Sequence, residues 1–141
     1  EIMPSLVGSE MCIRDSYYTL LDMASVDVPK EKVCEGESIV PLLEGGKIGK
    51  RALYWHFPHY SNHGMQSPGG AIRYGDYKLL EYFENGTVQL FDLKTDLGEQ
   101  HDLSAEKPGV VKKLRKMLHA WRESVGASMP EPNPNFTGDK R

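Results

Sequence analysis

The sequence is short of nearly every feature that places a protein at sight. It has two cysteines, Cys12 and Cys34, in unrelated contexts. They form neither a C-x-x-C pair nor a disulfide framework, so they say little about redox compartment. No apolar run approaches the roughly 18 residues of a membrane span. A signal peptide is not legible either, since the first residues lack a basic start and a continuous apolar core. Neither charge sign is in excess: 17 Lys and Arg against 20 Asp and Glu give a formal net charge of -3. A nucleic-acid partner, which would need a strongly basic face, is not expected, and neither is a membrane partner. Gly45-Gly46-Lys47 is not followed by Ser or Thr and so makes no phosphate-binding P-loop. Ser38 does not sit in the G-x-S-x-G elbow of a serine nucleophile, and no H-E-x-x-H zinc motif occurs.

What is present suits one ordinary domain, or one domain and a piece of another, in 141 residues. Residues 2–16, IMPSLVGSEMCIRDS, have neither a clear period nor capping logic and resemble translated sequencing-adapter reads. Residues 1–16 are therefore expected to be a non-native or disordered leader. Residues 17–26 carry Leu20, Leu21 and Ala24 on one helical face, and a short helix is expected, ended before Val28-Pro29. Residues 33–46 mix turn formers with the apolar run Ile39 to Leu43, a surface loop with a buried anchor or a helical turn that Pro41 would begin.

Residues 52–57, ALYWHF, have the aromatic content of a first strand. A long polar loop over 58–70 follows. Residues 71–93 then read as strands at 71–74, 77–83 and 87–93, joined at Gly75-Asp76 and at Glu84-Asn85-Gly86. Asn-Gly favours a two-residue hairpin turn, which would set Phe83 against Val88 and Glu81 against Leu90. From Val110 to Val125, apolar residues recur at helical spacing with Pro108 near the start and Gly126 as the stop. Lys112, Lys113, Arg115, Lys116 and Arg122 are expected on the solvated side of that helix. The fold class expected is α+β: a small antiparallel sheet of three to four strands covered by one long C-terminal amphipathic helix. The prolines after Met129 predict an extended or disordered tail.

Histidines are the candidate functional groups. His56, His59 and His63 fall on one strand-to-loop segment, where imidazoles could converge on a metal or a substrate anion. The spacing fits no zinc pattern, so no metal ligand is assigned, and His56 and His59 are the candidate substrate-binding residues. His101 and His119 are assigned to turn and helix surfaces. No catalytic residue is assigned, because neither cysteine has an activating base beside it in sequence and the carboxylates lie in turns. Arg73 and Lys78 could meet an anion or pair with turn carboxylates.

Five segments, in order, resemble the C-terminal portion of the type I, formylglycine-dependent sulfatases, arylsulfatase-like enzymes of the alkaline phosphatase superfamily. They are Tyr18-Thr19-Leu20-Leu21-Asp22-Met23-Ala24 with Glu35-Gly36-Glu37-Ser38-x-x-Pro41-Leu42-Leu43; Leu53-Tyr54-Trp55-His56-Phe57-Pro58-His59-Tyr60; Ala71-Ile72-Arg73-x-Gly75-Asp76-Tyr77-Lys78-Leu79; Gln89-Leu90-Phe91-Asp92-Leu93-x-x-Asp96-x-Gly98-Glu99; and Met129-Pro130-x-Pro132-Asn133-Pro134. The resemblance implies hydrolysis of sulfate esters by a formylglycine hydrate with a calcium ion. Formylglycine is made from Cys or Ser in C/S-x-P/A-x-R, whereas Cys12 reads Cys-Ile-Arg-Asp-Ser and Cys34 reads Cys-Glu-Gly-Glu-Ser. No cofactor is therefore expected in this chain, and calcium and formylglycine belong to the full-length family member. The implied division is a remnant of the catalytic domain at 17–46, a C-terminal subdomain at 47–128 and a tail at 129–141. The natural packing partner would be the missing catalytic domain, the substrate a sulfated small molecule or glycan, and the compartment periplasmic or secreted. On this reading the chain is inactive alone. The alternative from the residues themselves is a free-standing α+β binding module that uses the His56/His59/His63 loop for a metal or a sulfated glycan.

Overall fold

The computed structural model describes residues 6–28, 31, 35–60 and 67–131, with the side chains of the first helix described from Arg14 onward. The chain forms two compact units, Glu1–Gly49 and Lys50–Arg141.

The first unit holds helix α1 (Leu6–Met23) and the single helical turn α2 (Val40–Leu43), which has proline in its first turn as expected. None of the α2 residues is buried, so it is not an apolar anchor. Helix α1 begins at Leu6, well before the expected start at Tyr17, and so runs through much of the stretch expected to be a non-native or disordered leader. It also ends earlier than Pro29 requires. Ser25 adopts a left-handed φ of 52° and the Val26 N–H donates to the Leu21 carbonyl at 2.9 Å, a Schellman-type stop made locally. One face of α1 holds the loop that follows through polar groups spaced i, i+4, i+7. Asp15 Oδ1 accepts the Glu37 N–H at 3.0 Å, Thr19 Oγ1 accepts the Ile39 N–H at 3.1 Å, and Asp22 accepts the Ser38 hydroxyl. Asp15 and Thr19 are buried, while Leu20 and Met23 are exposed.

The second unit is an antiparallel meander of β1 (Ala52–Phe57), β2 (Gly69–Tyr74), β3 (Tyr77–Tyr82) and β4 (Val88–Asp92), in spatial order β1-β2-β3-β4, with helix α3 (Pro108–Ser124) across one face. The expected α+β class is the observed one. Tyr54, Ile72, Leu79 and Leu90 lie in one cross-strand row, because Tyr54 pairs with Ile72, Ile72 with Leu79 and Leu79 with Leu90. Ile72, Leu79 and Leu90 in that row form the core with Leu114 and Leu118 of α3, all five essentially inaccessible. The ring of Tyr54 stacks on Trp121 at 4.9 Å. Gly126, at φ 60°, ends α3 with the Ala127 N–H reaching the Arg122 carbonyl at 2.9 Å, the stop foreseen from sequence.

The second hairpin departs from expectation by two residues. Glu81 pairs with Val88, and Leu79 rather than Glu81 pairs with Leu90. The cause is in the turn. A two-residue Asn-Gly turn needs positive φ at both residues, but only Gly86 has it, at 67°. The Asn85 side chain instead accepts the Thr87 N–H at 3.0 Å and its hydroxyl at 2.7 Å. A four-residue loop over 83–86 results, closed by Gly86 N–H to Tyr82 carbonyl at 3.0 Å. An even shift leaves every side chain on its expected face, so the core is unaffected.

The free edge of β4 is covered locally. The Leu103 N–H donates to the Leu90 carbonyl at 2.7 Å, and Asp102 Oδ1 accepts the Leu90 N–H at 3.0 Å. No described helix is long and apolar enough to cross a membrane. The prolines beyond residue 131 lie outside the described residues.

Candidate functional site

The strand β1 separates the two candidate histidines. His56 shares the helix-facing side of the sheet with Tyr54, since side chains two apart on a strand point the same way. Its ring lies 5.4 Å from that of Phe83, and its Nε2–H donates to the Ser128 carbonyl at 2.7 Å, tying the segment after α3 back to the sheet. Its buried Nδ1 has no hydrogen-bond partner among the described residues. His59 lies beyond the strand end, exposed, with its ring edge-on to Phe57 at 5.8 Å. Tyr60 beside it donates to Glu84 Oε1 at 2.6 Å, and that hydrogen bond holds the phenol above its usual range. His63 lies outside the described residues. Lys78 pairs with the turn carboxylate of Glu99 at 2.6 Å.

A charged cluster on the helix-facing side was not legible beforehand. Glu81 of β3 is 5% exposed and receives three partners from α3. Arg115 approaches Oε1 through Nε at 2.9 Å and Nη2 at 2.8 Å. His119 Nε2 bridges both oxygens at 2.9 and 3.0 Å. Arg122 Nη2 lies 2.7 Å from Oε2 as an ion pair without the alignment of a hydrogen bond, and its guanidinium covers the Phe83 ring at 4.8 Å. Burial pushes the Glu81 carboxyl up, but the hydrogen bonds from His119 and Arg115 and the charge of Arg122 outweigh it, and the group is held below its ordinary value of 4.5. Arg122, expected on the solvated side, is 8% exposed, whereas His119 is exposed on the helix surface as expected while its Nε2 reaches Glu81. The available signal was periodicity. Leu114, Leu118 and Arg122 stand at i, i+4, i+8, so Arg122 extends the apolar stripe rather than facing away from it.

Arg122 fits because β2 has no side chain beneath it. A Cβ at Gly70 would stand 2.5 Å from Arg122 Nη2 and 3.2 Å from the Trp55 carbonyl. Gly70→Ala is therefore expected to displace the guanidinium and cost about 1–3 kcal/mol, the range for overpacking. Urea unfolding followed by tryptophan fluorescence checks this, both tryptophans, Trp55 and Trp121, lying in the second unit. A loss below about 0.5 kcal/mol would mean that the ion pair tolerates the methyl group.

Neither histidine is gathered with other ligating groups. Among the described residues no three of His, Cys, Asp and Glu stand where they could hold a metal ion. Among the described residues no donor set for the calcium implied by the resemblance is assembled.

Comparison with known proteins supplies the family. Residues 2–124 match the family model described as N-sulphoglucosamine sulphohydrolase, C-terminal. A sulfatase of Formosa agariphila is 35% identical over 137 residues, covering 85% of this chain and 25% of that protein. The solved structure of a 2-O GAG sulfatase superposes with a TM-score of 0.62 at 28% identity, covering 80% of this chain and 25% of that one. A protein solved in complex with its substrate, D-glucosamine-2-N,6-O-disulfate, superposes with a TM-score of 0.65 at 28% identity, over 82% of this chain and 24% of that one. The chain spans about a quarter of the length of each of these relatives. With the family model matched over residues 2–124 and the fold shared with solved sulfatase structures, the chain belongs to the sulfatases, as a C-terminal sulfatase domain.

Proposed function

We propose that this chain is the C-terminal part of a sulfatase that hydrolyses sulfate esters of sulfated glycans, and that it is inactive alone. The observation that carries the reading is the family match over residues 2–124 in a sequence that contains no C/S-x-P/A-x-R. The relative solved with a disulfated glucosamine as its substrate supports the sugar class.

Within this reading the domain is a scaffold. The meander and α3 share one core, and the loop that leaves β1 at Pro58 is mounted on it; loops on such scaffolds are where binding residues concentrate. His59, exposed at the root of that loop, is the proposed substrate contact. His56 is proposed to act beside it, its ring locked by Phe83 and Ser128 so that it fixes the direction in which the chain leaves β1. The natural packing partner is a catalytic domain that supplies nucleophile and calcium.

The purified 141-residue chain is expected to show no turnover of a chromogenic sulfate ester with calcium present. Turnover that survives removal of contaminating sulfatases would overturn the inactivity claim. An upstream in-frame C-x-P-x-R in the full reading frame, with turnover by that longer protein, would be the positive counterpart.

A further inference from the structure

We infer that one flank of α3 carries a separate oxyanion site that takes a sulfate group of a sulfated saccharide. The site is a groove of about 430 Å³ between the 104–108 segment and the helix, lined by Ser104, Pro108, Val111, Lys112, Arg115 and His119. Lys112, Arg115 and His119 follow one another at i, i+3, i+7, which sets all three on one helical ridge. No acid lines the groove.

The charge balance behind the groove is uneven. Glu81 supplies one negative charge to a cluster that holds two guanidinium groups, Arg115 and Arg122, as well as His119. The carboxylate lies at the back, only 6% accessible, whereas the side chains of Arg115 and His119 are 41% and 45% accessible. Arg115 uses Nε and Nη2 on Glu81 and keeps Nη1 for a further acceptor; His119 turns Nε2 to Glu81, and its Nδ1 adds a donor only when the ring is protonated. Lys112 is exposed and has no ion-pair partner among the described residues.

The groove therefore holds a surplus of positive charge: the Arg115 guanidinium is aimed from behind by Glu81, which lowers the ordering cost of binding, and the Lys112 ammonium stands one turn away on the same ridge. A guanidinium edge beside an ammonium suits an oxyanion, because the fork supplies directed N–H groups and the lysine a point charge. Val111 and Pro108 give the same groove an apolar wall against which the C–H face of a sugar ring can lie. The saccharide as the source of the sulfate rests on the sulfatase reading above; the oxyanion site does not.

The test is an amide NMR titration of the full 141-residue chain with three probes: sodium sulfate, glucosamine 2-N,6-O-disulfate and unsulfated glucosamine. Saturable shifts at Val111, Lys112, Arg115 and His119 are expected with the disulfated sugar, smaller ones with inorganic sulfate, and none with glucosamine. Lys112→Ala should weaken the disulfated sugar about fivefold to tenfold, the value of one charge-assisted contact. Lys116→Ala removes the same charge from the same helix outside the groove and should leave affinity within about twofold. No shifts at residues 111–119, or equal weakening by both variants, would overturn the site. Response to inorganic sulfate without response to the sugar would overturn the saccharide assignment. Failure of the longer protein to hydrolyse sulfate esters would strike the sulfatase proposal and leave this titration unchanged.

Discussion

Glu81→Gln is expected to lower the stability of the sheet-and-helix unit by about 3 kcal/mol, at the low end of the cost of breaking a buried ion pair. Glutamine keeps the shape and one acceptor oxygen but removes the charge that Arg122 faces. Arg122 is 8% exposed and pinned between Gly70 and the Phe83 ring, so it cannot turn to water and is left as an uncompensated buried cation. Arg115 and His119 are nearly half accessible and can resolvate, which is why the cost stays at the low end. Arg122→Met on its own should also destabilise, leaving the carboxylate with two partners in place of three. In the combination Glu81→Leu with Arg122→Met the penalty should largely disappear, because a buried pair replaced by apolar groups is often neutral. Urea unfolding read by tryptophan fluorescence measures all three. A loss below about 1 kcal/mol for Glu81→Gln, or no recovery in the double variant, would show that the cluster is a surface feature.

The same group sets a pH dependence. Glu81 is held below 4.5 in the folded chain by the hydrogen bonds from His119 and Arg115 and the charge of Arg122, against the upward push of burial. A depressed carboxylate contributes stability that is fully present above its unfolded value and is lost as pH falls through its folded value. Wild-type stability should therefore fall as pH drops from about 4.5 downward, and the Glu81→Gln variant should lose that share of the acid sensitivity.

Periodicity carried much of the fold, because burial imposes it. The α3 stripe and the alternation in β1 to β4 are direct consequences of one face being covered, so the sheet, its single helix and Gly126 as the stop could be read from residue spacing. The hairpin register could not. It turned on whether Asn85 would take positive φ or use its side chain on Thr87, two local solutions that the same three residues allow. Arg122 was misplaced for a different reason. Its charge argues for the solvated side, although position i+8 from Leu114 puts it on the stripe and Glu81, two residues after Leu79 on the same face of β3, is its only buried acidic counterpart among the described residues of the unit. The described contacts of α1 with the loop that follows it are polar, through Asp15, Thr19 and Asp22, so they leave no apolar period in the sequence. The histidine loop looked like one feature in sequence, yet consecutive faces of β1 and the exit past Pro58 separate His56 from His59.

Leu118→Ala should have the largest effect of any single substitution in the unit, about 3–5 kcal/mol. Leu118 is fully inaccessible and packs with Ile72, Leu79, Leu90 and Leu114, so the vacated volume is walled by three strands that hydrogen bonding holds in register and cannot collapse. A unit of this size carries on the order of 5–15 kcal/mol in total, so the loss takes a large part of it. Leu118→Met, which roughly conserves volume, should cost less than about 1.5 kcal/mol, and Leu97→Ala, at a 59% exposed position, less than about 0.5. If Leu118→Ala cost under about 1 kcal/mol, α3 would not be packed on the sheet as described. The consequence reaches the groove on the helix flank. Lys112 is untouched by the substitution, but Arg115 and His119 keep their aim only while α3 is seated and Glu81 stands behind them. Under conditions where the variant is half unfolded, binding of the disulfated sugar should fall in proportion to the folded fraction and return with stabilising osmolyte, as it must if the donors are positioned by packing and not by local helix structure.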